Sequence, residues 1–313
     1  MQHKQIFLKA TVYKSTGSWY RVRTEKGEFL DARIRGRLKT DGITSTNPVA
    51  VGDIVGLETD ETGAVMITDI VERRNYIIRQ SPQNRNLQHI IAANLDQSLL
   101  ICSLKDPHTS RGFIDRFLAA SEAFHVPAIL VFNKSDLFRI KESDFFKEIK
   151  EVYEKIGYPT IKVSVQHRFG IEQIRGVLRN KVTLISGHSG VGKSSMINLF
   201  LEGQEIKTSE VSGWSGKGVH TTTFAEMYEL PFGGAVIDTP GIREFALKEI
   251  EPVELSHYFV EMKPLIGECR FNNCMHTEEP GCAVKKAVAE GNINADRYVS
   301  YLTILSTMNE ERK

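Results

Sequence analysis

The chain has 313 residues, of which 41% are hydrophobic and 25% are charged. This length corresponds to about two domains of roughly 150 residues, or to three smaller ones. The balanced composition excludes a disordered, collagen-like or disulfide-dense chain. Forty basic residues stand against 39 acidic ones, which gives a formal net charge of +1. Contact with a nucleic acid would therefore require a local basic patch.

Apolar stretches are short throughout the sequence. Two of the longest cover residues 98–104 and 128–132, far fewer than the roughly 18–20 residues that span a membrane. The apolar run at residues 6–8 is too short for the core of a secretory signal. We therefore expect a cytoplasmic protein that has no membrane partner.

Residues 1–80 alternate polar and apolar side chains and contain glycine-bearing turns, which predicts several short strands in a small barrel. Residues 1–41 contain ten basic and four acidic residues. A strand of period two would place four of these cations on one face. They are Arg33, Arg35, Arg37 and Lys39. This face is either a solvated strand surface or a contact surface for an RNA backbone.

Three regions of different pattern follow one another along the chain. Periodicity fails over residues 73–90, where we expect a linker around residues 80–88. Beyond it, buried strand-like runs alternate with helical patterns, which predicts a parallel α/β sheet. The last 66 residues show helical patterning only. The predicted domains are therefore a barrel at 1–80, an α/β domain at 81–247 and a small helical domain at 248–313.

The motif GHSGVGKSS lies between a strand-like run and a helical pattern, the context that a phosphate-binding P-loop requires. Backbone N–H groups would surround the phosphates, Lys193 would contact the β- and γ-phosphates, and Ser194 would ligate Mg²⁺. The alternative is a glycine-rich turn without function. The predicted nucleotide-binding residues here are Gly187, His188, Ser189, Gly190, Val191, Gly192, Lys193, Ser194 and Ser195.

The sequence Asn133-Lys134-Ser135-Asp136 follows an apolar run and matches the NKxD pattern of guanine sites. The Asp136 carboxylate can accept hydrogen bonds from the guanine ring N–H and amine, whereas adenine offers no donor there. GTP and GDP are therefore the predicted nucleotides. Asp136 could instead cap the next helix. Ser164, at the end of another apolar run, is a candidate second guanine element.

Asp238 and Gly241 form a DxxG motif after the apolar run at 235–238. The aspartate would hold the Mg²⁺ shell through water, and the glycine N–H would contact the γ-phosphate. The polar stretch 207–223 offers switch threonines, of which Thr222 is our first choice for Mg²⁺ and Thr221 the second. The alternative is a mobile surface loop.

The order of these motifs predicts a circularly permuted GTPase, because the guanine motifs precede the P-loop. Ile242 stands directly after DxxG, where Ras-type enzymes carry a glutamine that orients water. Unaided hydrolysis should therefore be slow. His220 is the candidate to orient the water instead, the alternative being an exposed loop histidine. The second switch leads directly into the C-terminal region, which nucleotide state could therefore move.

Three cysteines and a histidine lie within fourteen positions near the C-terminus: Cys269, Cys274, His276 and Cys282. This is a complete tetrahedral set for one structural Zn²⁺ per chain. The metal would add folding free energy to a region with little core. The alternative is a set of scattered buried cysteines, which is how we interpret Cys102 in its apolar run.

Together, GHSGVGKSS, NKSD, HTTT, DTPGIREF and the cysteine cluster resemble the ribosome small-subunit-dependent GTPase A (RsgA) family over nearly the whole chain. The resemblance implies an N-terminal OB-fold, a central permuted GTPase domain and a C-terminal zinc module. It also implies weak GTP hydrolysis stimulated by the 30S subunit, contact with 16S rRNA and a role in late subunit maturation. We expect a monomer with no DNA partner. The alternatives are an rRNA-binding, nucleotide-dependent clamp with incidental hydrolysis, and an ATP-dependent P-loop kinase, against which Asp136 argues.

Overall fold

A computed structural model describes residues 8–35, 48–80, 88–201, 225–239, 247 and 249–310. The first part of the chain is a closed five-stranded barrel. Its strands run in the spatial order β1-β2-β3-β5-β4, and β4 pairs again with β1. They are β1 (Leu8–Ser15), β2 (Tyr20–Thr24), β3 (Phe29–Ile34), β4 (Ile54–Thr59) and β5 (Val65–Ile70).

Alternating side chains fill the barrel, as the period-two pattern predicts. Val12, Val22 and Ala32 are fully buried on three neighbouring strands. The predicted cationic strand is shorter than expected, because β3 ends at Ile34 and Arg35 lies beyond it. Arg37 and Lys39 fall outside the described residues.

A two-stranded antiparallel hairpin follows the barrel. It consists of β6 (Tyr76–Gln80) and β7 (Gln88–Ala93). Only the two end residues of the expected linker, Gln80 and Gln88, belong to these strands, and its residues 81–87 lie outside the described part of the chain. Ile77 and Ala92 are fully buried, so the hairpin contributes to a hydrophobic core that a linker would not join.

The middle of the chain forms the predicted α/β sheet, in the order β10-β9-β8-β11-β13-β12. All neighbours pair in parallel except β12, which is antiparallel to β13. The strands are β8 (Gln97–Cys102), β9 (Ala128–Phe132), β10 (Thr160–Lys162), β11 (Val182–Ser186), β12 (Glu226–Glu229) and β13 (Ala235–Asp238). The accompanying helices are α1 (Arg111–Ala123), α2 (Ile140–Lys155), α3 (Ile171–Leu178) and α4 (Lys193–Asn198).

Both faces of this sheet are covered by packed residues. Since successive residues of a strand point to opposite sides, each strand contributes to two hydrophobic cores. Leu100 and Leu184 belong to a core that includes α1 and the C-terminal region. Leu99 and Ile185 belong to a second core with α3 and the second half of α4. The near-continuous apolar runs of the sequence are thereby explained.

The C-terminal region is helical, as predicted. It contains the 3₁₀ helices Pro252–Tyr258 and Lys263–Leu265, then α5 (Ala283–Ala289) and α6 (Ala295–Glu310). Helix α6 packs on α1. At this contact Arg297 forms ion pairs with Asp115, at 2.6 Å, and with Glu261, at 2.7 Å.

The barrel and the α/β sheet are joined edge to edge by β1 and β12, where Lys14 pairs with Glu226. This pairing makes one continuous eleven-stranded sheet. Within the described residues, no helix is both long and apolar enough to cross a membrane.

Candidate nucleotide-binding site and metal centre

The GHSGVGKSS segment connects β11 to α4, in the strand–loop–helix order predicted for a P-loop. Gly187 and Gly192 have φ values of +143° and +98°. A Cβ atom on Gly187 would lie 2.3 Å from the carbonyl oxygen of Ile101, and one on Gly192 would lie 2.4 Å from Nδ2 of Asn133. Any side chain at either glycine would therefore displace a neighbouring strand end or the guanine motif.

Lys193 and Asp238 are the charged groups beside this loop. Nζ of Lys193 donates hydrogen bonds of 2.8 Å to the carbonyl oxygens of Gly187 and His188. Burial lowers the pKa of Lys193 and raises the pKa of Asp238, although each is partly offset by attraction to the other. Desolvation thus outweighs pairing, and a ligand carrying both anionic and cationic groups would relieve it.

Asn133 connects the two halves of the site. Its Nδ2 donates a hydrogen bond of 2.8 Å to the carbonyl oxygen of Val191, and its Oδ1 accepts one of 3.1 Å from the backbone N–H of Val165. The sequence predicted Asn133 as a nucleotide-binding residue. In the structure, its side chain acts as a brace, because these two hydrogen bonds connect the P-loop to the segment after β10.

Asp136 lies at the exposed end of the same site, in a 3₁₀ turn over Ser135–Leu137. The alternative that it caps the next helix is wrong, because Arg139 occupies the N-cap of α2. The hydroxyl of Ser164 donates a 2.5 Å hydrogen bond to Oδ1 of Asp136. Lys134, with φ +60°, donates to the carbonyl oxygen of Asp106. The hydroxyl of Ser164 thus holds the carboxylate that would read guanine, and Lys134 connects the same turn to the backbone of Asp106.

One contact at the P-loop was not predictable from the sequence. The imidazole of His188 stacks on the ring of Phe113, with centroids 3.9 Å apart. Phe113 lies in the first turn of α1, and 75 positions separate the two residues. The aromatic character of Phe113 was visible in the sequence, but no local pattern connects it to the loop.

Two features of the phosphate end fit a magnesium ion. Ser194 offers a hydroxyl oxygen at the start of α4, and Oδ1 of Asp238 is buried without a hydrogen-bond partner among the described residues. Hydroxyl and carboxylate oxygens are the ligands that Mg²⁺ prefers. The other predicted switch residues, Thr221, Thr222, Gly241 and Ile242, and the candidate His220, lie outside the described residues.

A second site lies in the C-terminal region, where the four predicted ligand atoms converge within 4.8 Å of one another. They belong to Cys269, Cys274, His276 and Cys282. Nδ1 of His276 lies 3.3 Å from Sγ of Cys282 and 3.6 Å from Sγ of Cys269. Burial lowers the pKa of His276, which favours the neutral imidazole that a metal ligand requires. This cluster could hold a metal ion.

Neighbouring groups fix the orientation of these ligands. The Tyr298 hydroxyl donates a 2.6 Å hydrogen bond to the carbonyl oxygen of His276. The backbone N–H of Ala283 donates to Sγ of Cys269 at 3.3 Å, and Cys282 is the N-cap of α5. Partners that orient ligands in this way are typical of metal centres. By contrast, Cys102 is buried in β8 apart from the cluster, as the sequence predicted.

A P-loop in the middle of a parallel sheet, preceded in the chain by its guanine motif, defines a circularly permuted GTPase. A sequence model described as RsgA GTPase matches residues 70–248, and one described as RsgA N-terminal domain matches residues 9–67. The chain belongs to the RsgA GTPase family and is a hydrolase that acts on GTP. The alternative of an ATP-dependent kinase is therefore wrong.

Relatives and solved structures agree over nearly the full length. The chain is 46% identical over 303 residues to the small ribosomal subunit biogenesis GTPase RsgA of Bacteroides fragilis, covering 97% of this chain and 98% of that one. It is 48% identical over 300 residues to the protein of that name from Cytophaga hutchinsonii, covering 95% and 98%.

Two crystal structures have the same fold. YjeQ from Thermotoga maritima aligns with a TM-score of 0.78 at 32% identity, over 97% of this chain and 99% of that one. YloQ, described as a circularly permuted GTPase, aligns with a TM-score of 0.74 at 27% identity, over 100% and 98%. The permutation predicted from motif order is thereby confirmed.

Proposed function

We propose that this GTPase binds the 30S ribosomal subunit and hydrolyses GTP during late small-subunit maturation, with activity stimulated by the subunit. The observation that carries the nucleotide assignment is the Asn133 brace, which connects the P-loop to the segment beside Asp136. The names of the full-length relatives support the ribosomal role.

In this proposal, the P-loop N–H groups bind the phosphates of GTP, Lys193 contacts the β- and γ-phosphates, and Asp136 reads guanine with support from Ser164. Ser194 and Thr222 would hold Mg²⁺ directly, and Asp238 would hold it through water. The bound ion would supply neutralisation of charge on the phosphates during hydrolysis. Gly241 donates its N–H to the γ-phosphate.

His220 orients the attacking water, because Ile242 has no group that could do so. Both lie in the proposed switch regions, and contact with the subunit would bring His220 beside the water. An imidazole positioned beside the water supplies general base or orienting assistance. Without the subunit, turnover should be slow.

The Cys₃His cluster holds one structural Zn²⁺ per chain in this proposal. Three thiolates and one imidazole would supply all four ligands that a structural zinc takes and would leave no open position for catalysis. The four residues also connect the loop before α5 to α5 itself. The metal would therefore stabilise the C-terminal region rather than take part in hydrolysis.

The barrel supplies a contact surface for 16S rRNA. Arg33 is exposed on β3, and its guanidinium lies 3.8 Å from the ring centroid of Trp19, itself 46% exposed. Arg35 is also exposed but pairs with Glu58. A cation beside an exposed aromatic ring suits phosphate contact together with base stacking. Arg37 and Lys39 remain predicted contacts. We further propose a cytoplasmic monomer without a DNA partner.

The test is phosphate release from GTP, with ATP as the control nucleotide, in the presence and absence of purified 30S subunits. Strong stimulation by the subunit with GTP alone supports the proposal. Tight GTP binding without stimulation would instead favour the nucleotide-dependent clamp. In the His220→Ala variant, stimulated hydrolysis should be lost while GTP binding is kept. Unchanged stimulated turnover in that variant would contradict the role of His220.

A further inference from the structure

A row of charged side chains crosses the joint between the barrel and the α/β sheet. Glu226, the first residue of β12, pairs with Lys14 of β1 on one side and with Asp238 of β13 on the other. Residues directly opposite one another in antiparallel strands carry their side chains on the same face. Nζ of Lys14 lies 2.7 Å from Oε2 of Glu226. The carboxylate of Glu226 therefore lies between a lysine of the barrel and the residue opposite it on β13, Asp238.

The row continues to the phosphate-binding lysine. Asp238 is attracted to Lys193 on one side and repelled by Glu226 on the other. Lys14 and Glu226 are 34% and 23% exposed, so solvent screens this pair only in part. The row thus runs from Lys14 through the carboxylates of Glu226 and Asp238 to Lys193. Lys14 belongs to the barrel, whereas the other three residues belong to the α/β sheet and the P-loop.

We propose that Glu226 and Lys14 are positioning residues that set the electrostatic potential at the magnesium end of the nucleotide site. Glu226 adds negative potential beside Asp238, and Lys14 cancels it from the barrel. Movement of β1 away from β12 would expose the full charge of Glu226 and strengthen Mg²⁺ binding. This inference rests on the proposed function, because it requires Mg²⁺ to bind beside Asp238 with the nucleotide.

A second ion pair across the same joint provides a matched control. NH1 of Arg23 in β2 lies 2.5 Å from Oε1 of Glu229. Glu229 is at the far end of β12, opposite Ala235 rather than Asp238. Loss of this pair removes the same kind of contact between barrel and sheet, but about 10 Å from the metal end, given the rise of a strand.

The experiment measures dissociation of a fluorescent GDP analogue from the full-length protein as a function of free Mg²⁺. The Mg²⁺ concentration at which dissociation slows to half reports the apparent affinity for the ion. We expect Glu226→Gln to weaken this affinity and Lys14→Gln to strengthen it, each by about two- to fivefold, as for one charge acting on a dication across partly screened protein. The double variant should return near wild type, because the pair has no net charge. Lys14→Arg and Arg23→Gln should also behave as wild type.

A purely structural role of the ion pair predicts a different result. Both single variants would then shift Mg²⁺ affinity in the same direction, and the double variant would not recover. That result would overturn the inference, as would unchanged affinity in Lys14→Gln, whose partly exposed side chain can be replaced without creating a cavity. If the wild-type protein binds the GDP analogue without any dependence on Mg²⁺, the proposed magnesium site fails, and the inference fails with it. A wild type that responds to Mg²⁺, with variants that do not differ from it, overturns the inference alone.

Discussion

Nδ2 of Asn133 donates a 2.8 Å hydrogen bond to the carbonyl oxygen of Val191, across 58 positions of sequence. Asn133 is 2% exposed, and its other amide atom accepts from the backbone N–H of Val165. One side chain thus satisfies two backbone groups, the buried carbonyl of Val191 and the partly buried N–H of Val165. It also fixes the distance between the phosphate-binding loop and the guanine-binding segments.

Asn133→Ala should lower the free energy of unfolding by about 1–3 kcal/mol, because both backbone groups lose their partner. GTP and GDP should be bound more weakly to a similar extent, since the brace affects phosphate and base contacts together. Urea denaturation and calorimetric titration measure the two effects. The exposed Asn292→Ala serves as a matched control and should stay within about 0.5 kcal/mol of wild type. Equal stability of the two variants would contradict the brace.

Asp136→Asn should exchange guanine for xanthine specificity. The amide cannot accept both hydrogen bonds from guanine, so GTP affinity should fall by about 100-fold, the loss expected for two bonds to a charged group. Xanthine carries a carbonyl oxygen where guanine has its amine, so xanthosine triphosphate should bind the variant better than GTP. Competition against a fluorescent nucleotide measures both. Retention of GTP preference in the variant would contradict the role of Asp136.

Much of the α/β domain could be predicted from local sequence. The runs 128–132, 182–186 and 235–238 coincide with β9, β11 and β13, because strands buried on both faces leave continuous apolar signals. The NKSD and GHSGVGKSS motifs were equally visible, since each is contiguous. Secondary structure and the chemistry of each motif therefore follow from neighbouring residues.

Contacts between distant segments could not be predicted in this way. Two examples are the stack of Phe113 on His188 and the ion pair of Lys14 with Glu226. Both depend on how distant elements pack, and no local sequence pattern identifies which residue will be the partner. The hairpin of β6 and β7 was missed because polar residues interrupt its pattern on both sides of Pro82. The Cys₃His cluster, by contrast, could be predicted, because its four residues are close in sequence.

Asp238→Asn should stabilise the protein when nucleotide and magnesium are removed. Burial raises the pKa of Asp238, so the folded state binds a proton more tightly than the unfolded state. The wild type therefore loses stability as pH rises from the unfolded pKa, about 3.9, through the raised folded value, whereas the asparagine variant does not. Thermal unfolding from pH 4 to pH 8 should show a gap between the proteins that opens as pH rises.

The control for this pH dependence is Asp60→Asn in the barrel. Hydrogen bonds from Thr62 and Ala64 lower the pKa of Asp60, so its carboxylate favours the folded state above the unfolded pKa. The substitution should therefore act with the opposite sign and lower stability at neutral pH. If both variants shifted stability in the same direction, the assigned causes of these pKa shifts would be wrong.

Removal of the proposed zinc should destabilise the C-terminal region selectively. Cys282→Ser replaces one thiolate and should reduce bound zinc well below one equivalent per chain, measured by mass spectrometry of the metal. Proteolysis should then cut first within residues 263–289. Cys102→Ala, at the buried cysteine of β8, should keep one equivalent. Full metal content in Cys282→Ser would exclude this residue as a ligand.

Arg297→Met should lower the free energy of unfolding by about 3–5 kcal/mol, because Asp115 and Glu261 would be left buried without their cation. The side chains of Arg297 and Asp115 are 3% and 1% exposed, so solvent cannot replace the lost charge. Arg111 connects the same two helices but pairs with exposed carboxylates at Glu148 and Asp296. Arg111→Met should therefore cost about 1 kcal/mol or less.

This buried ion network also lies between the P-loop and the C-terminal region that carries the Cys₃His cluster. Helix α1 carries both Asp115, which Arg297 of α6 contacts, and Phe113, which stacks on His188 of the P-loop.

A variant with Arg297→Met, Asp115→Leu and Glu261→Leu should regain much of the lost stability, because whole buried ion networks can be replaced by apolar groups. Urea denaturation distinguishes the cases. No recovery in the triple variant would show that this contact depends on more than charge: on the packing of Arg297 on Tyr153 and Phe259, and on the buried Tyr153 hydroxyl, which loses Asp115 as its acceptor.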